Sequence, residues 1–242
     1  MSSFKLSLHQ VNFCVGDVRQ NLRGVCDIWD EMEAKKIDCV AFPEMSLSGY
    51  PLQDLVVSKD FIKTCKSSIE TLIKRSTTRQ SAIIVAAPLI APNGKQNPYE
   101  TRHNVTNSVI VIQKGQILAT IHKQKLPNFM VFDEMRDFIK GPPSGPVNIN
   151  GTRIGISICE DFWHEDVIEC LSETGSHFLL ALNASPYQLH KAEDRLQAAL
   201  KAARLSGLAC VYLNLVGAQD ESLHRWFLLV RLLLLLVSIG KE

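Results

Sequence analysis

The chain has 242 residues, 46% of them hydrophobic, which is typical of one domain with a sizeable core and not of a disordered segment. Its 26 basic and 25 acidic residues give a formal net charge of +1, so we expect no nucleic-acid partner. The seven cysteines have neither paired spacing nor metal-ligand spacing with histidine, which predicts reduced thiols, a cytoplasmic location and no metal site.

The predicted elements alternate between strands and helices along the chain. The first residues lack the pattern of a secretory signal and begin directly with a strand-like run. Apolar runs rich in Val, Ile and Leu predict strands over residues 5–13, 39–42, 82–88, 105–113, 116–122, 153–159, 178–183 and 209–214. Helical spacing predicts helices over residues 17–36, 58–79, 165–175 and 187–205. This order predicts an α/β fold. The Lys114-Gly115 pair predicts a hairpin turn, so we expect mixed sheets.

Three residues with complementary chemistry each follow a predicted strand. Glu44 is a possible base, Lys123 a fixed cation and Cys159 a thiol nucleophile. A cysteine attacking an amide needs a base to take its proton and hydrogen-bond donors to hold the oxyanion. The backbone N–H of Glu160 is a candidate second donor beside the lysine. Together these residues predict an amide-cleaving site.

The segments around these residues resemble the nitrilase superfamily and, within it, the glutamine-hydrolysing domains of glutamine-dependent NAD synthetases. The resemblance rests on five motifs in the same order, FPEMSLSGYPLQDL, KLPNFMVFDEMRDF, ICEDFW, LNASPY and LNLVGAQDE, and covers roughly residues 4–221. It implies an α-β-β-α sandwich of two stacked sheets, a Glu44-Lys123-Cys159 triad and an oligomeric assembly. The family register selects Lys123 over Lys125 as the catalytic lysine.

The same resemblance implies roles for four further residues. Glu134 resembles the second glutamate that positions the lysine, and Tyr50, Ser185 and Lys191 resemble residues that hold the amino-acid head of glutamine. One departure is Phe129-Met130, which stands where the family usually carries a Tyr-Gly or similar pair and adds bulk near the pocket.

Competing interpretations remain open from the residues alone. A cysteine that ends an apolar strand is often a buried hydrophobe, and a papain-like Cys-His site would require one of the histidines at 103, 122, 164 or 190 as base. The sequence therefore leaves three functions: glutamine hydrolysis, hydrolysis of another small amide, or an inactive fragment that keeps a binding pocket.

The segment 222–242 differs in character from the rest of the chain. It carries a leucine run of about 15 apolar residues interrupted by Arg231, shorter than the roughly 20 needed to span a bilayer, so we expect no membrane anchor. The resemblance implies an Asp-Gly-(Ser/Gly)-Ser-Phe strand pair here. Possible codons for residues 224–228, shifted by one base, read Ile-Asp-Gly-Ser, so we interpret the tail as a possible frameshift and expect it to leave the sheet with an unpaired edge.

A complete NAD synthetase of this kind also needs a Ser-Gly-Gly-x-Asp-Ser pyrophosphate loop, and this sequence contains no such segment. We therefore expect no cofactor in this domain, since ATP and Mg²⁺ would belong to a synthetase domain acting as a partner in trans.

Overall fold

A computed structural model describes residues 3–91, 104–129, 132–187, 191–222, 225–229 and 233–236. Its first sheet has the strand order β1-β2-β3-β4-β5, in which β1, β2 and β3 are parallel and β3, β4 and β5 are antiparallel. These strands are β1 (Leu6–Leu8), β2 (Cys39–Ala41), β3 (Ala82–Ile90), β4 (Val105–Gln113) and β5 (Gln116–His122). The mixed sheet expected from the Lys114-Gly115 turn is confirmed, and both turn residues have positive φ angles, 49° and 78°.

The second sheet has the order β12-β9-β8-β7-β6, with a parallel centre and antiparallel edges. Its strands are β6 (Val147–Ile149), β7 (Thr152–Ile158), β8 (Phe178–Asn183), β9 (Ala209–Asn214) and β12 (Leu233–Leu236). A separate antiparallel pair consists of β10 (Gly217–Ser222) and β11 (Arg225–Leu229).

Helices cover the outer face of each sheet. They are α1 (Val18–Ala34), α2 (Lys59–Ser76), α4 (Glu165–Glu173) and α5 (Lys191–Ser206), while the four-residue helix α3 (Glu134–Asp137) begins at the buried Glu134. The helices α1 and α2 begin at side-chain caps, because Asp17 accepts from Gln20 N at 3.0 Å and Ser58 accepts from Phe61 N at 3.3 Å. Short 3₁₀ turns cover Gln53–Val57 and Cys159–Trp163.

Three apolar layers show how these elements stack. The central layer joins both sheets through buried residues such as Ile84, Val109, Ile156 and Leu180. A second layer packs α1 and α2 against the first sheet, and a third packs α4 and α5 against the second. The α-β-β-α sandwich implied by the resemblance is therefore confirmed.

Several predicted boundaries were wrong. The first strand ends at Leu8 instead of residue 13, because after the His9 N to Ala41 O bond of 3.0 Å the chain leaves the sheet. The last predicted helix does not include Tyr187, which follows Pro186 outside any helix; α5 begins at Lys191. The strand predicted over residues 153–159 ends at Ile158, since Cys159 opens a 3₁₀ turn.

The tail pairs with β9, so within the described residues the open edge expected for this sheet lies at β12. Leu233–Leu236 of the tail pairs antiparallel with β9 from Leu213 to Cys210. An apolar extended run can complete a sheet edge whatever its origin, because the ladder is formed by backbone groups. The part of the tail at 223–224, 230–232 and 237–242 lies outside the described residues.

Candidate active site

The three predicted triad residues come together at the ends of strands from both sheets. Lys123 directly follows β5, Cys159 directly follows β7, and Glu44 lies three residues beyond β2. Their exposed fractions are 1% for Glu44, 0% for Lys123 and 5% for Cys159. A carboxylate and an ammonium this deeply buried need partners, since an unpaired buried charge is strongly unfavourable.

Glu44 is held by three donors. Its Oε1 accepts from Lys123 Nζ at 2.9 Å and from Asn107 Nδ2 at 2.7 Å, and its Oε2 accepts from the backbone N–H of Ala184 at 2.7 Å. Asn107 lies on β4 in the first sheet, whereas Ala184 follows β8 in the second. The carboxylate is therefore fixed by groups from both sheets.

Lys123 lies between two carboxylates. Its Nζ is 2.9 Å from Glu44 Oε1 and 2.8 Å from Glu134 Oε2. Burial alone would lower the pKa of Lys123, but the charges of Glu134 and Glu44 raise this pKa well above its ordinary value. Burial raises the pKa of Glu134; the charge of Lys123 lowers this pKa, and the charge of Glu44 raises it further. Lys123 is therefore held in its charged form.

Tyr50 lies behind Glu134 instead of in the main pocket. Its hydroxyl donates to Glu134 Oε1 at 2.9 Å, and it lines a separate cavity of about 170 Å³ with Asp133 and Arg136. The Tyr50-Pro51 peptide bond is cis. In this position Tyr50 is a partner of Glu134, and its predicted contact with substrate stays a prediction.

Cys159 occupies a sharp turn from strand to 3₁₀ helix. Its φ of 47° lies in the left-handed region that non-glycine residues rarely adopt. A turn of this kind directs the side chain away from the end of the sheet, as in other strand-to-helix nucleophile turns. Burial raises the pKa of the Cys159 thiol well above its ordinary value, Glu44 adds to this rise, and Lys123 opposes it. A neutral thiol with a neighbouring carboxylate is suited to base-assisted attack.

Asp161 links the Cys159 turn to the segment that follows Lys123. Its Oδ1 accepts from the backbone N–H groups of Gln124 at 3.0 Å and Lys125 at 2.7 Å, and its Oδ2 accepts from Ile158 N at 3.3 Å. Burial raises the pKa of Asp161 to about 6, against the opposing effect of these N–H groups. The turn at Cys159 and the segment after Lys123 are thus fixed relative to each other by one side chain.

Lys125 and the histidines take positions outside this constellation. Lys125 Nζ forms an ion pair with Asp166 Oδ2 at 2.6 Å on the surface. His164 Nε2 is 3.4 Å from Glu160 Oε1, and His122 Nδ1 is 2.8 Å from Ser108 Oγ. His103 and His190 lie outside the described residues. In the described part of the chain, no hydrogen bond joins a histidine to Cys159.

A cavity of about 510 Å³ opens beside Cys159. Its wall includes the predicted residues Ser185, Lys191 and Glu160. The aromatic side chains in the wall are Phe129, Phe132, Phe162 and Trp163. Lys191 Nζ lies 6.0 Å from the centroid of the Phe132 ring. The volume falls within the range of about 300–1,000 Å³ typical of small-molecule sites. Met130, the other half of the predicted departure, lies outside the described residues.

Three functional candidates were missed by sequence reasoning: Asn107, Asp161 and Arg195. Asn107 stands within an otherwise apolar strand, and Asp161 lies inside the quoted ICEDFW motif, so both were visible as polar residues in buried segments. Arg195 shares the buried face of α5 with Ala199 and Ala202. A charged residue at helical spacing from two buried alanines was the readable signal.

The family model for Carbon-nitrogen hydrolase matches residues 5–229. The chain belongs to the carbon-nitrogen hydrolase family. It is 38% identical over 218 residues to a glutamine-dependent NAD(+) synthetase of Aquifex aeolicus, a match that covers 89% of this chain and 36% of the relative. The chain thus spans about a third of the length of the curated relatives it matches.

Solved structures of other proteins also resemble this chain. A glutamine-dependent NAD+ synthetase from Acinetobacter baumannii, solved with adenosine diphosphate, superposes with a TM-score of 0.86 at 28% identity over 99% of this chain and 42% of that one. A carbon-nitrogen hydrolase from Helicobacter pylori G27 superposes with a TM-score of 0.77 at 15% identity over 98% of this chain and 83% of that one, which shows the shared fold.

The described residues lack two structural features. They contain no helix long and apolar enough to cross a membrane. They also contain no cluster of three or more His, Cys, Asp or Glu side chains placed to hold a metal ion.

Proposed function

We propose that this domain hydrolyses the side-chain amide of glutamine to glutamate and ammonia through a thioester on Cys159. The observation that carries the proposal is the buried Glu44-Lys123-Glu134 chain beside a thiol at the mouth of a ligand-sized cavity. The relatives named glutamine-dependent NAD(+) synthetase support glutamine as the amide and favour the ammonia-supplying half of NAD synthesis as the biological role.

In the first half of the reaction, Glu44 takes the thiol proton as Cys159 Sγ attacks the amide carbon. The negative charge that develops on the amide oxygen is stabilised by Lys123 and by the N–H of Glu160. This N–H belongs to the first turn of the 3₁₀ helix, where backbone donors lack partners within the helix. Collapse of the tetrahedral intermediate breaks the C–N bond, and Glu44 returns the proton to the departing ammonia.

In the second half, water attacks the thioester. Glu44 accepts a proton from the water, the second oxyanion is held by the same donors, and the C–S bond breaks to release glutamate and restore the thiol. Glu134 keeps Lys123 in place and charged, since its carboxylate lies 2.8 Å from Nζ. Each residue of the buried chain thus has a separate task.

The test is ammonia release by the purified 242-residue chain supplied with glutamine, measured beside a Cys159→Ala variant. Turnover in the parent and none in the variant is expected. A parent chain that is folded but inactive on every amide would contradict the proposal and favour the pocket-bearing fragment instead.

A second candidate is hydrolysis of another small amide. The observation that favours it is the aromatic side of the cavity, where the Phe129 side chain is 47% exposed and contacts the Phe132 ring edge to face at 5.7 Å between centroids. A panel of aliphatic and aromatic amides separates the two candidates, because a preference for an apolar amide over glutamine would reverse the assignment of substrate. A synthetase domain in trans and a homo-oligomer remain proposed partners, testable by co-purification and by light scattering.

A further inference from the structure

Arg195 is a buried cation without a carboxylate partner in the described chain. Its exposed fraction is 1%, and no Asp or Glu among the described residues lies within ion-pair distance of its guanidinium. The neighbouring Asp194 is exposed and lines the cavity instead. Burying an unneutralised charge is costly. Its charge is therefore compensated by hydrogen-bond acceptors alone among the described residues.

Among the described residues, the hydrogen bonds of Arg195 go to the short segment that follows β8. Nη2 donates to Ser185 Oγ at 3.0 Å, to Ser185 O at 3.3 Å and to Pro186 O at 2.6 Å, and Nε donates to Ser185 Oγ at 3.3 Å. This segment also carries the Ala184 N–H that holds Glu44. Arg195 therefore holds Ser185 in the cavity wall. Ser185 directly follows Ala184, whose N–H holds the candidate base Glu44.

These contacts determine which hydrogen-bonding role Ser185 can play. A guanidinium has donors only, so Ser185 Oγ must accept from Arg195. The backbone groups of Ser185 are also occupied, because its N–H donates to Asn214 Oδ1 at 2.9 Å and its carbonyl accepts from Asn214 Nδ2 at 3.1 Å. The Ser185 hydroxyl hydrogen can then be donated either to the Tyr212 hydroxyl or to a group in the cavity that Ser185 lines.

Tyr212 is the other polar group near this hydroxyl. It is fully buried on β9, where burial raises the pKa of its hydroxyl and an interaction with the Ser185 side chain, short of full hydrogen-bond geometry, opposes this rise. Phe162 packs edge to face against its ring at 5.7 Å between centroids. A fixed serine donor in front of an unneutralised guanidinium, with Lys191 on the same wall, forms a site for an acceptor that carries negative charge.

We propose that Arg195 is a positioning and specificity-determining residue: it fixes Ser185 as a hydrogen-bond donor to the substrate, and its charge makes the site select amides that carry a carboxylate. The carboxylate end of the substrate then faces Ser185 and Lys191, and the scissile amide faces Cys159. The inference rests on the proposed function for the reaction itself, but the selection for an anion can be measured without it.

The first experiment compares alkylation of Cys159 by iodoacetate and by iodoacetamide, two reagents of similar size that differ in charge. Mass spectrometry follows Cys159, with the exposed Cys14 of the same molecule as internal reference. The parent should favour iodoacetate at Cys159 relative to Cys14. Arg195→Met should lower this rate ratio by about threefold or more, as expected for loss of a nearby charge in a partly desolvated site. Arg204→Met is the matched control, since it removes one exposed cation from the same helix.

Arg195→Lys and Arg195→Gln keep the experiment decisive if the methionine variant does not fold. Both variants retain an N–H donor of similar reach, but only the lysine keeps the charge. The preference for iodoacetate over iodoacetamide at Cys159 should therefore persist in the lysine variant and fall in the glutamine variant. Equal ratios in the two would overturn the role of the charge. A parent chain with no preference for iodoacetate at Cys159 would overturn it without any variant.

The second experiment compares ammonia release from glutamine and from glutamine α-methyl ester. Arg195→Met should raise KM for glutamine about tenfold or more, which is the scale of one lost charge-assisted contact, and change kcat/KM for the ester much less. Equal losses on both substrates would indicate a merely structural role and overturn the inference. If the parent does not hydrolyse glutamine at all, the proposed function fails, while the alkylation ratio still decides the role of Arg195.

Discussion

Replacing Lys123 with methionine should destabilise the fold in a pH-dependent way as well as inactivate the site. The Lys123 side chain is 0% exposed and lies between the side chains of Glu44 and Glu134, which are 1% and 3% exposed. Methionine fills a similar volume, so the main effect is electrostatic. Removing one partner of a buried ion pair typically costs about 3–5 kcal/mol.

The sign of the pH dependence follows from the two remaining carboxylates. Without the cation, burial and mutual repulsion raise the folded-state pKa of one of them above its unfolded value of about 4.3. A carboxyl group whose folded pKa is raised stabilises the fold while it is protonated, and this stability is lost as the pH rises through the folded pKa. The free energy of unfolding of Lys123→Met, relative to the parent, should therefore fall further at about pH 8 than at about pH 5.

Urea denaturation at both pH values measures this difference, and Lys125→Met is the control. Lys125 pairs with Asp166 at the surface, where the two side chains are 29% and 67% exposed, so its loss should cost less than about 1 kcal/mol. Glutamine turnover should fall about a hundredfold or more in Lys123→Met and much less in Lys125→Met. Equal destabilisation of Lys123→Met at both pH values would refute the electrostatic reasoning, and the opposite ranking of activities would mean that the family register is shifted by two residues.

Four further outcomes are expected. Cys159→Ala should keep the fold and lose glutamine hydrolysis, and residual turnover above about a thousandth of the parent rate would reject Cys159 as nucleophile. Asp161→Asn should lower kcat with little change in KM. In thermal melts the parent should lose stability as the pH rises from 3.8 toward about 6, because the raised pKa of Asp161 makes its ionisation unfavourable in the fold. The Asn variant should lack this pH-dependent loss of stability. Tyr50→Phe should lower kcat modestly through Glu134, whereas a rise in KM alone would favour the substrate contact inferred from family resemblance. Deleting residues 230–242 removes β12 and should cause self-association in light scattering, since β9 becomes an open edge, and a monodisperse product would contradict this.

The sequence was sufficient to predict the elements that carry the site. The strands β4, β5, β8 and β9 have the predicted bounds because their apolar runs end at clear turn or polar residues. Glu44, Lys123 and Cys159 were recognisable because each stands in a motif that follows a strand, and strand ends place side chains over a common crevice.

Other features depended on contacts that local patterns do not reveal. The strand β6 has three residues and was missed, although the Asn150-Gly151 pair after it is a strong hairpin signal and both residues have positive φ angles. The pairing of β12 with β9 depends on a partner more than 20 residues earlier in the chain. Arg195 could be noticed as a charge on a buried helix face, but its contact with Ser185 exists only after α5 packs over the second sheet.

Groups from both sheets form the candidate site, so the two sheets must keep a fixed position relative to each other. Lys123 and Asn107 come from the first sheet, whereas Cys159 and the Ala184 N–H come from the second. Bonds that cross between them include Ala184 N to Glu44 Oε2 at 2.7 Å, and Gln124 N and Lys125 N to Asp161 Oδ1 at 3.0 and 2.7 Å. Because hydrogen bonds weaken steeply with distance and angle, a small shift of one sheet against the other would separate base, cation and nucleophile together. Under the proposed function, the apolar layer between the sheets contributes to catalysis as well as to stability, and substitutions there should reduce activity before they unfold the protein.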